Sequence, residues 1–196
     1  EKFIPSNPEG YYLNITDKGT TIAANTNEGL FYGVQTLLAS VAEGKLECCT
    51  ITDWPDVDFR GTVEGFYGTP WSHKARLSQI EFYGRNKMNV YIYGPKDDPY
   101  HRDHWRTPYP AEEAKRIKEL NECAKQNGVN FCWAIHPGID IKWTDEDRDA
   151  LIKKFQNMYD LGIRSFAVFF DDIWGEGTRA DKQAALLNYI DDNFVK

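Results

Sequence analysis

Ser165-Phe-Ala-Val-Phe-Phe-Asp-Asp-Ile-Trp-Gly-Glu-Gly177 is the stretch on which the fold turns. Its apolar run, Phe166 to Phe170, is too short for a buried helix and rich in aromatic and β-branched side chains. That composition predicts a strand buried on both faces. The run ends in two adjacent carboxylates, Asp171 and Asp172, and then in the glycine-bracketed loop Gly175-Glu176-Gly177. Acids at the C-terminal end of a buried parallel strand, ahead of a loop and a helix, sit where barrel enzymes keep their chemistry. A single aspartate there could be no more than the cap of the next helix. A pair, with the next helix starting only near Thr178, points to catalysis.

Working back along the chain, strands and helices alternate strictly from Arg60 onward. Strands are expected at Thr62–Tyr67, Asn89–Tyr93, Phe131–Ile135 and Phe166–Phe170, with helices at Ser72–Asn86, Ala111–Gln126, Asp145–Tyr159 and Ala180–Phe194. Ser72 and Thr144 are natural caps, and Asn127-Gly128 is a stop signal. Four βα units in succession imply a parallel sheet with right-handed crossovers. The strand ends, Glu64-Gly65-Phe66-Tyr67-Gly68, Tyr93 to Asp98, His136-Pro137-Gly138 and Asp171-Asp172, then share one side and converge on one cleft. Aromatic faces beside carboxylates suit a sugar, whose C–H faces stack on rings while its hydroxyls take hydrogen bonds.

Residues 1–53 differ from the rest. Strands at Gly10–Ile15 and Thr20–Ala24 flank a turn at Asp17-Lys18-Gly19, and a third is expected at Leu46–Ile51. Between them Leu30, Val34, Leu37, Leu38 and Val41 recur at helical spacing, which predicts a helix over Asn27–Val41. Asp53-Trp54-Pro55-Asp56 marks the boundary. The fold class expected is therefore α/β: the first four βα units of a TIM-type barrel over 54–196, preceded by a small, partial α+β piece over 1–53.

Composition narrows the function. The net charge of −7 and the lack of any Lys/Arg cluster argue against nucleic acid, whose phosphates need a basic patch. No apolar stretch approaches the length of a membrane span. Cys48, Cys49, Cys123 and Cys132 lack metal or redox spacing and are expected to be reduced and mostly buried. His101-Arg-Asp-His104 is spaced as an i, i+3 pair, but no third ligand accompanies it, so neither metal nor cofactor is expected.

Arg60-Gly-Thr-Val-Glu-Gly-Phe-Tyr-Gly-Thr-Pro-Trp71, Tyr93-Gly-Pro-Lys-Asp-Asp98 and Phe169-Phe-Asp-Asp172, in that order, resemble glycoside hydrolase family 84, the β-N-acetylglucosaminidases known as O-GlcNAcases, in a bacterial form. The resemblance implies substrate-assisted hydrolysis, an exception to the scheme with two protein carboxylates. Asp171 would orient the substrate's 2-acetamido group through its N–H, and the acetamido oxygen would attack the anomeric carbon to give an oxazoline. Asp172 would protonate the leaving oxygen and then deprotonate the incoming water. An ionised Asp171 would raise the pKa of its neighbour towards the range of a general acid. Gly65, through its carbonyl, and Lys96, through its ammonium, match positions that hold sugar hydroxyls. Tyr67 is a further substrate-side candidate, although it and Trp71 suit core or pocket wall better than sugar contact. Trp174 stands where a small residue is expected and would narrow the cleft. Were the nucleophile a protein group instead, Glu64 and Glu176 would be the next candidates.

A complete barrel needs about 250 residues, more than this chain has beyond Asp53. It is thus expected to be a fragment, one piece of a two-chain barrel or a half-barrel that pairs, with a complementary chain or second copy as partner beside the N-acetylglucosaminide substrate. The resemblance favours the periplasm or the outside of a bacterial cell over the cytoplasm. A hyaluronidase-like or chitin-acting relative, and a non-catalytic N-acetylglucosamine-binding half-barrel, are the competing readings.

Overall fold

The computed structural model describes residues 3–41 and 43–196. In its first part, strands β1 (Tyr11–Thr16), β2 (Gly19–Ala24) and β3 (Cys49–Asp53) form an antiparallel sheet in the order β2-β1-β3, and helix α1 (Asn27–Ala39) lies between β2 and β3 in sequence. Thr26 caps α1 by accepting from the Gly29 N–H at 3.1 Å. β3 starts three residues later than expected, because pairing with β1 sets its register, Tyr11 opposite Asp53 and Ile15 opposite Cys49.

Helix α1 ends at Ala39, short of the expected Val41. Leu30, Val34, Leu38 and Val41 are all exposed, whereas Gly29, Tyr32 and Gly33 are buried. A Cβ on Gly29 would stand 2.4 Å from the Gly10 carbonyl oxygen, and one on Gly33 2.5 Å from Ile22. The helix therefore approaches the sheet on its smallest residues, and contact distance outweighs the apolar stripe.

The second part is a four-stranded parallel sheet, β4 (Gly61–Glu64), β5 (Val90–Tyr93), β6 (Asn130–Ile135) and β7 (Ser165–Val168), in sequential order. Helices α2 (His73–Arg85), α3 (Ala111–Gln126) and α4 (Asp145–Asp160) connect the strands, and α5 (Ala180–Ile190) follows β7, continued by a π turn over Asp191–Val195. This is the half-barrel expected from the alternation. β4 stops at Glu64, short of the expected Tyr67. At its start, a Cβ on Gly61 would come 1.7 Å from the Val90 carbonyl oxygen, so only glycine permits the pairing.

The two faces of the sheet are unlike. Towards the helices, Tyr91 and Tyr93 of β5 and Phe131 and Trp133 of β6 pack with Ile80, Tyr83, Ile117, Leu120 and Phe155 in one core. On the opposite face, Val63 is 52% exposed. β7, expected to be buried on both faces, is only half-buried throughout, because it is the sheet's last strand and one edge has no neighbour. The cysteines are free, as expected, but only Cys132 is buried; Cys48 and Cys49 are exposed and Cys123 is intermediate. Adjacent residues in a strand point to opposite faces, and the strand that holds Cys49 lies in the smaller, thinly covered sheet. Among the described residues no helix is long and apolar enough to cross a membrane.

Candidate active site

The C-terminal strand ends converge on one side of the half-barrel. Lys96, in the loop after β5, reaches across to the acids after β7, donating to Asp171 Oδ2 and lying 3.9 Å from Asp172 Oδ2. Its side chain is only 8% exposed, whereas those of Asp171 and Asp172 are 50% and 56% exposed. The cation is thus built into the floor, and the carboxylates face the opening. Burial alone would raise the Asp171 pKa, but its hydrogen bond and attraction to Lys96 prevail and hold it below the usual carboxylate range. Asp172 has φ +52°, a left-handed backbone that aspartate adopts more readily than most residues.

An open cleft of about 420 Å³ lies against Val63, Gly65, Phe169 and Asp171. Gly65 stands at its wall, where a Cβ would meet nothing nearer than Val63 at 3.5 Å. Gly94 differs, since a Cβ there would stand 2.6 Å from the Phe169 ring, so its glycine is needed for packing. Tyr67 is 63% exposed; its ring centroid lies 5.2 Å from Lys96 Nζ and 6.0 Å from the Arg102 guanidinium. The structure so brings together Lys96, Asp171, Asp172 and Tyr67, with Gly65 beside Asp171.

Three acids that lie near the strand ends do not join this group. Glu64 is buried on the helix side, where Arg76 donates two bonds to it at 2.9 Å, Tyr91 donates its hydroxyl and the Trp71 N–H adds a fourth at 3.2 Å. Strand parity explains this: Thr62 and Glu64 point towards the helices and Val63 to the open face. Asp98 is likewise buried, accepting from the hydroxyls of Tyr93 at 2.8 Å and Tyr109 at 2.7 Å and from the Tyr100 N–H. Glu176 projects into solvent with Arg179 Nη1 at 4.0 Å. Neither Glu64 nor Glu176 stands in the cleft as a nucleophile. Trp174 does not narrow the cleft either. It is 75% exposed, while its neighbour Ile173 is the residue that packs inward on Gly138 and Gly177. Trp71 packs on Phe66 and Tyr91 against the core and does not line this cleft.

Sequence reasoning gave no role to two buried histidines behind the acids. His136 Nε2 lies 2.7 Å from the Asp171 carbonyl oxygen, and His101 Nε2 lies 2.9 Å from that of Pro95. The signal for His136 was its place at the end of β6. His101 was read only as half of a metal-spaced pair, but it is buried while His104 is exposed. No group of three potential ligands occurs among the described residues. A larger cavity, about 810 Å³, opens between α2 and α3 next to Asp98 and away from the acid pair.

Comparison with known proteins gives this geometry its context. Residues 60–196 match a family described as beta-N-acetylglucosaminidase, and residues 5–54 match glycosyl hydrolase family 20, domain 2. The chain is 39% identical over 124 residues to the Protein O-GlcNAcase of Rattus norvegicus and to that of Mus musculus. Those matches take in 63% of this chain and 14% of each relative. Among solved structures it is similar to CpGH84B, with a TM-score of 0.92 and 46% identity over 97% of this chain and 34% of the other. It is also similar to a mutant of the Thermobaculum terrenum O-GlcNAc hydrolase, with a TM-score of 0.66 and 38% identity over 70% of this chain and 32% of that one. The chain thus spans about a third of the solved structures it matches and a smaller share of the curated relatives.

Proposed function

The chain belongs to the beta-N-acetylglucosaminidase family over residues 60–196, and on that premise we propose that it supplies the acid-bearing half of a retaining glycoside hydrolase. The substrate is a terminal β-linked N-acetylglucosamine, on the Ser or Thr of a protein or on a related glycoside. The observation that carries this reading is the adjacent pair Asp171 and Asp172 with the Lys96 ammonium reaching both.

Asp171 accepts the N–H of the 2-acetamido group. Lys96 keeps it ionised, so it stabilises the positive charge that grows on that nitrogen as the carbonyl oxygen bonds to the anomeric carbon. Asp172 gives its proton to the leaving oxygen as the glycosidic bond breaks, which leaves an oxazolinium ion whose N–H stays bound to the Asp171 carboxylate. Water then adds to the anomeric carbon, Asp172 takes its proton, and the ring opens to the acetamido sugar of unchanged configuration. Gly65 and Lys96 hold the sugar hydroxyls and Tyr67 forms the wall beside them.

Four strands with both edges open and an exposed Val63 on the inner face favour association. We infer that further βα units, from additional chain or a second copy, close the barrel over the cleft. The test is hydrolysis of an aryl β-N-acetylglucosaminide by the closed assembly, with the first-formed anomer followed by NMR. Initial release of the β-anomer and tight inhibition by a thiazoline mimic of the oxazoline are expected. Initial release of the α-anomer would overturn the mechanism. Absence of turnover with intact sugar binding would favour a binding half-barrel.

A further inference from the structure

The peptide between the two acids is turned in a way most residues avoid. Asp172 has φ +52°, a left-handed backbone that aspartate visits more readily than most residues but that still costs energy unless its surroundings hold it. That angle sets the Asp171 carbonyl against the Asp172 side chain, so whatever fixes the carbonyl also aims the carboxyl. One buried group does so. His136, with none of its surface exposed, places Nε2 2.7 Å from the Asp171 carbonyl oxygen and 3.4 Å from Asp171 Oδ1.

A carbonyl oxygen can only accept, so Nε2 carries a proton and donates it. Nδ1 is buried without a partner. The backbone beneath the ring is tied as well: the His136 main-chain N–H donates to the His101 carbonyl at 2.7 Å. His101, also fully buried and pushed down to about 4 by that burial, donates from Nε2 to the Pro95 carbonyl at 2.9 Å. Pro95 precedes Lys96. A hydrogen-bonded line thus runs from the loop that carries the cation, through His101 and His136, to the peptide that joins the acids.

We propose that His136 is a positioning residue for the acid pair. Its imidazole donates to the Asp171 carbonyl, holds Asp172 in the left-handed conformation and so directs the Asp172 carboxyl at the leaving oxygen. A histidine that served the core alone could use any acceptor; this one uses the carbonyl whose rotation sets the acid. The assignment rests on Asp172 being the general acid.

Two substitutions test it in the closed assembly. The side-chain amide of His136→Gln can reach the place of Nε2, whereas His136→Leu fills the space without a donor. With aryl β-N-acetylglucosaminides of graded leaving ability, His136→Leu should lose roughly 100-fold in kcat on the poorest leaving group, the low end of what general acid help contributes. It should lose only about threefold on a dinitrophenyl group that needs no proton. His136→Gln should restore most of the difference. Equal losses across the series would overturn the proposal, since a general loosening of the fold would act that way. The second readout does not depend on turnover. The ¹⁵N spectrum of the histidine side chains should show His136 with a proton on Nε2, its signal identified by its absence from His136→Gln. An Nε2 without a proton would overturn the proposal even if the leucine variant failed to fold. A wild-type assembly that turns over none of the series would sink the acid assignment and this one with it, and the wild-type rates alone would reveal that.

Discussion

Glu64 with Arg76 and Asp171 with Lys96 are both carboxylate–cation pairs at strand ends of the same half-barrel, yet they do opposite work. Glu64 is 1% exposed and meets a guanidinium fork, a phenol and a backbone N–H. Its acceptor capacity is used up. Asp171 is half-exposed and has one donor from an ammonium, with Asp172 beside it. It keeps lone pairs for a ligand. Arginine suits the first site because its planar fork matches a carboxylate in two bonds, and lysine suits the second because a point charge on a flexible stem can be shared. A carboxylate at a barrel's C-terminal face is therefore not catalytic by address alone; strand parity decides which face it serves.

The sharpest way to break this comparison is to neutralise one acid from each pair. Asp172→Asn should lower kcat on substrates with poor leaving groups by about 10²–10⁴-fold and leave the melting temperature nearly unchanged. Glu64→Gln should do the reverse. Removing one partner of a buried pair destabilises by on the order of 3–5 kcal/mol, measured as a fall in the denaturant midpoint, while the leaving-group dependence of the protein that stays folded is kept. If both variants lose activity alike with stability intact, Glu64 belongs to the chemistry and the division made here is wrong.

Next in size is the cation. Lys96→Met removes the group that holds the Asp171 carboxyl low, so that pKa should rise. The reaction needs Asp171 ionised, and the acid limb of the kcat/KM profile should therefore move to higher pH. The same sign applies to stability. A carboxyl whose folded pKa is depressed contributes above its unfolded value and loses that contribution as pH falls through the folded one. The variant should lack this part of the wild-type acid destabilisation. An acid limb that stays in place would mean that another group sets it.

How much of this could be read from the sequence follows the same physics. The half-barrel and the meeting of Lys96 with Asp171 and Asp172 were legible, because strand–helix alternation fixes which ends share a side. The side on which Glu64 points was not, since one residue of uncertainty in where β4 begins inverts every side chain. Nor was the packing face of α1, where both faces are apolar and the glycines that permit close approach decided the matter. His136 was in view as a strand-end residue. Its role depends on a backbone angle at Asp172 that no residue pattern encodes.

The smallest effect expected on stability is the most telling for the cleft, and it uses two glycines of one segment. At Gly61 a Cβ would overlap the Val90 carbonyl oxygen at 1.7 Å, so Gly61→Ala has to push β4 away from β5. At Gly65 the nearest atoms to a Cβ lie at 3.5, 3.8 and 3.9 Å, ordinary contact distances, and the backbone there is not left-handed. Nothing in the fold of these described residues requires glycine at position 65. Gly65→Ala should change the unfolding free energy by less than about 0.5 kcal/mol, as surface substitutions away from special features do. A glycine that the packing does not need fits a site where a ligand approaches the backbone closely. If Gly65 holds a sugar hydroxyl through its carbonyl, the added methyl should raise KM for N-acetylglucosaminides and weaken thiazoline binding. Contact with ground state and transition state alike should leave kcat little changed. A Gly65→Ala variant with unchanged stability and unchanged KM would show that the sugar lies further along the cleft, towards Lys96 and Tyr67.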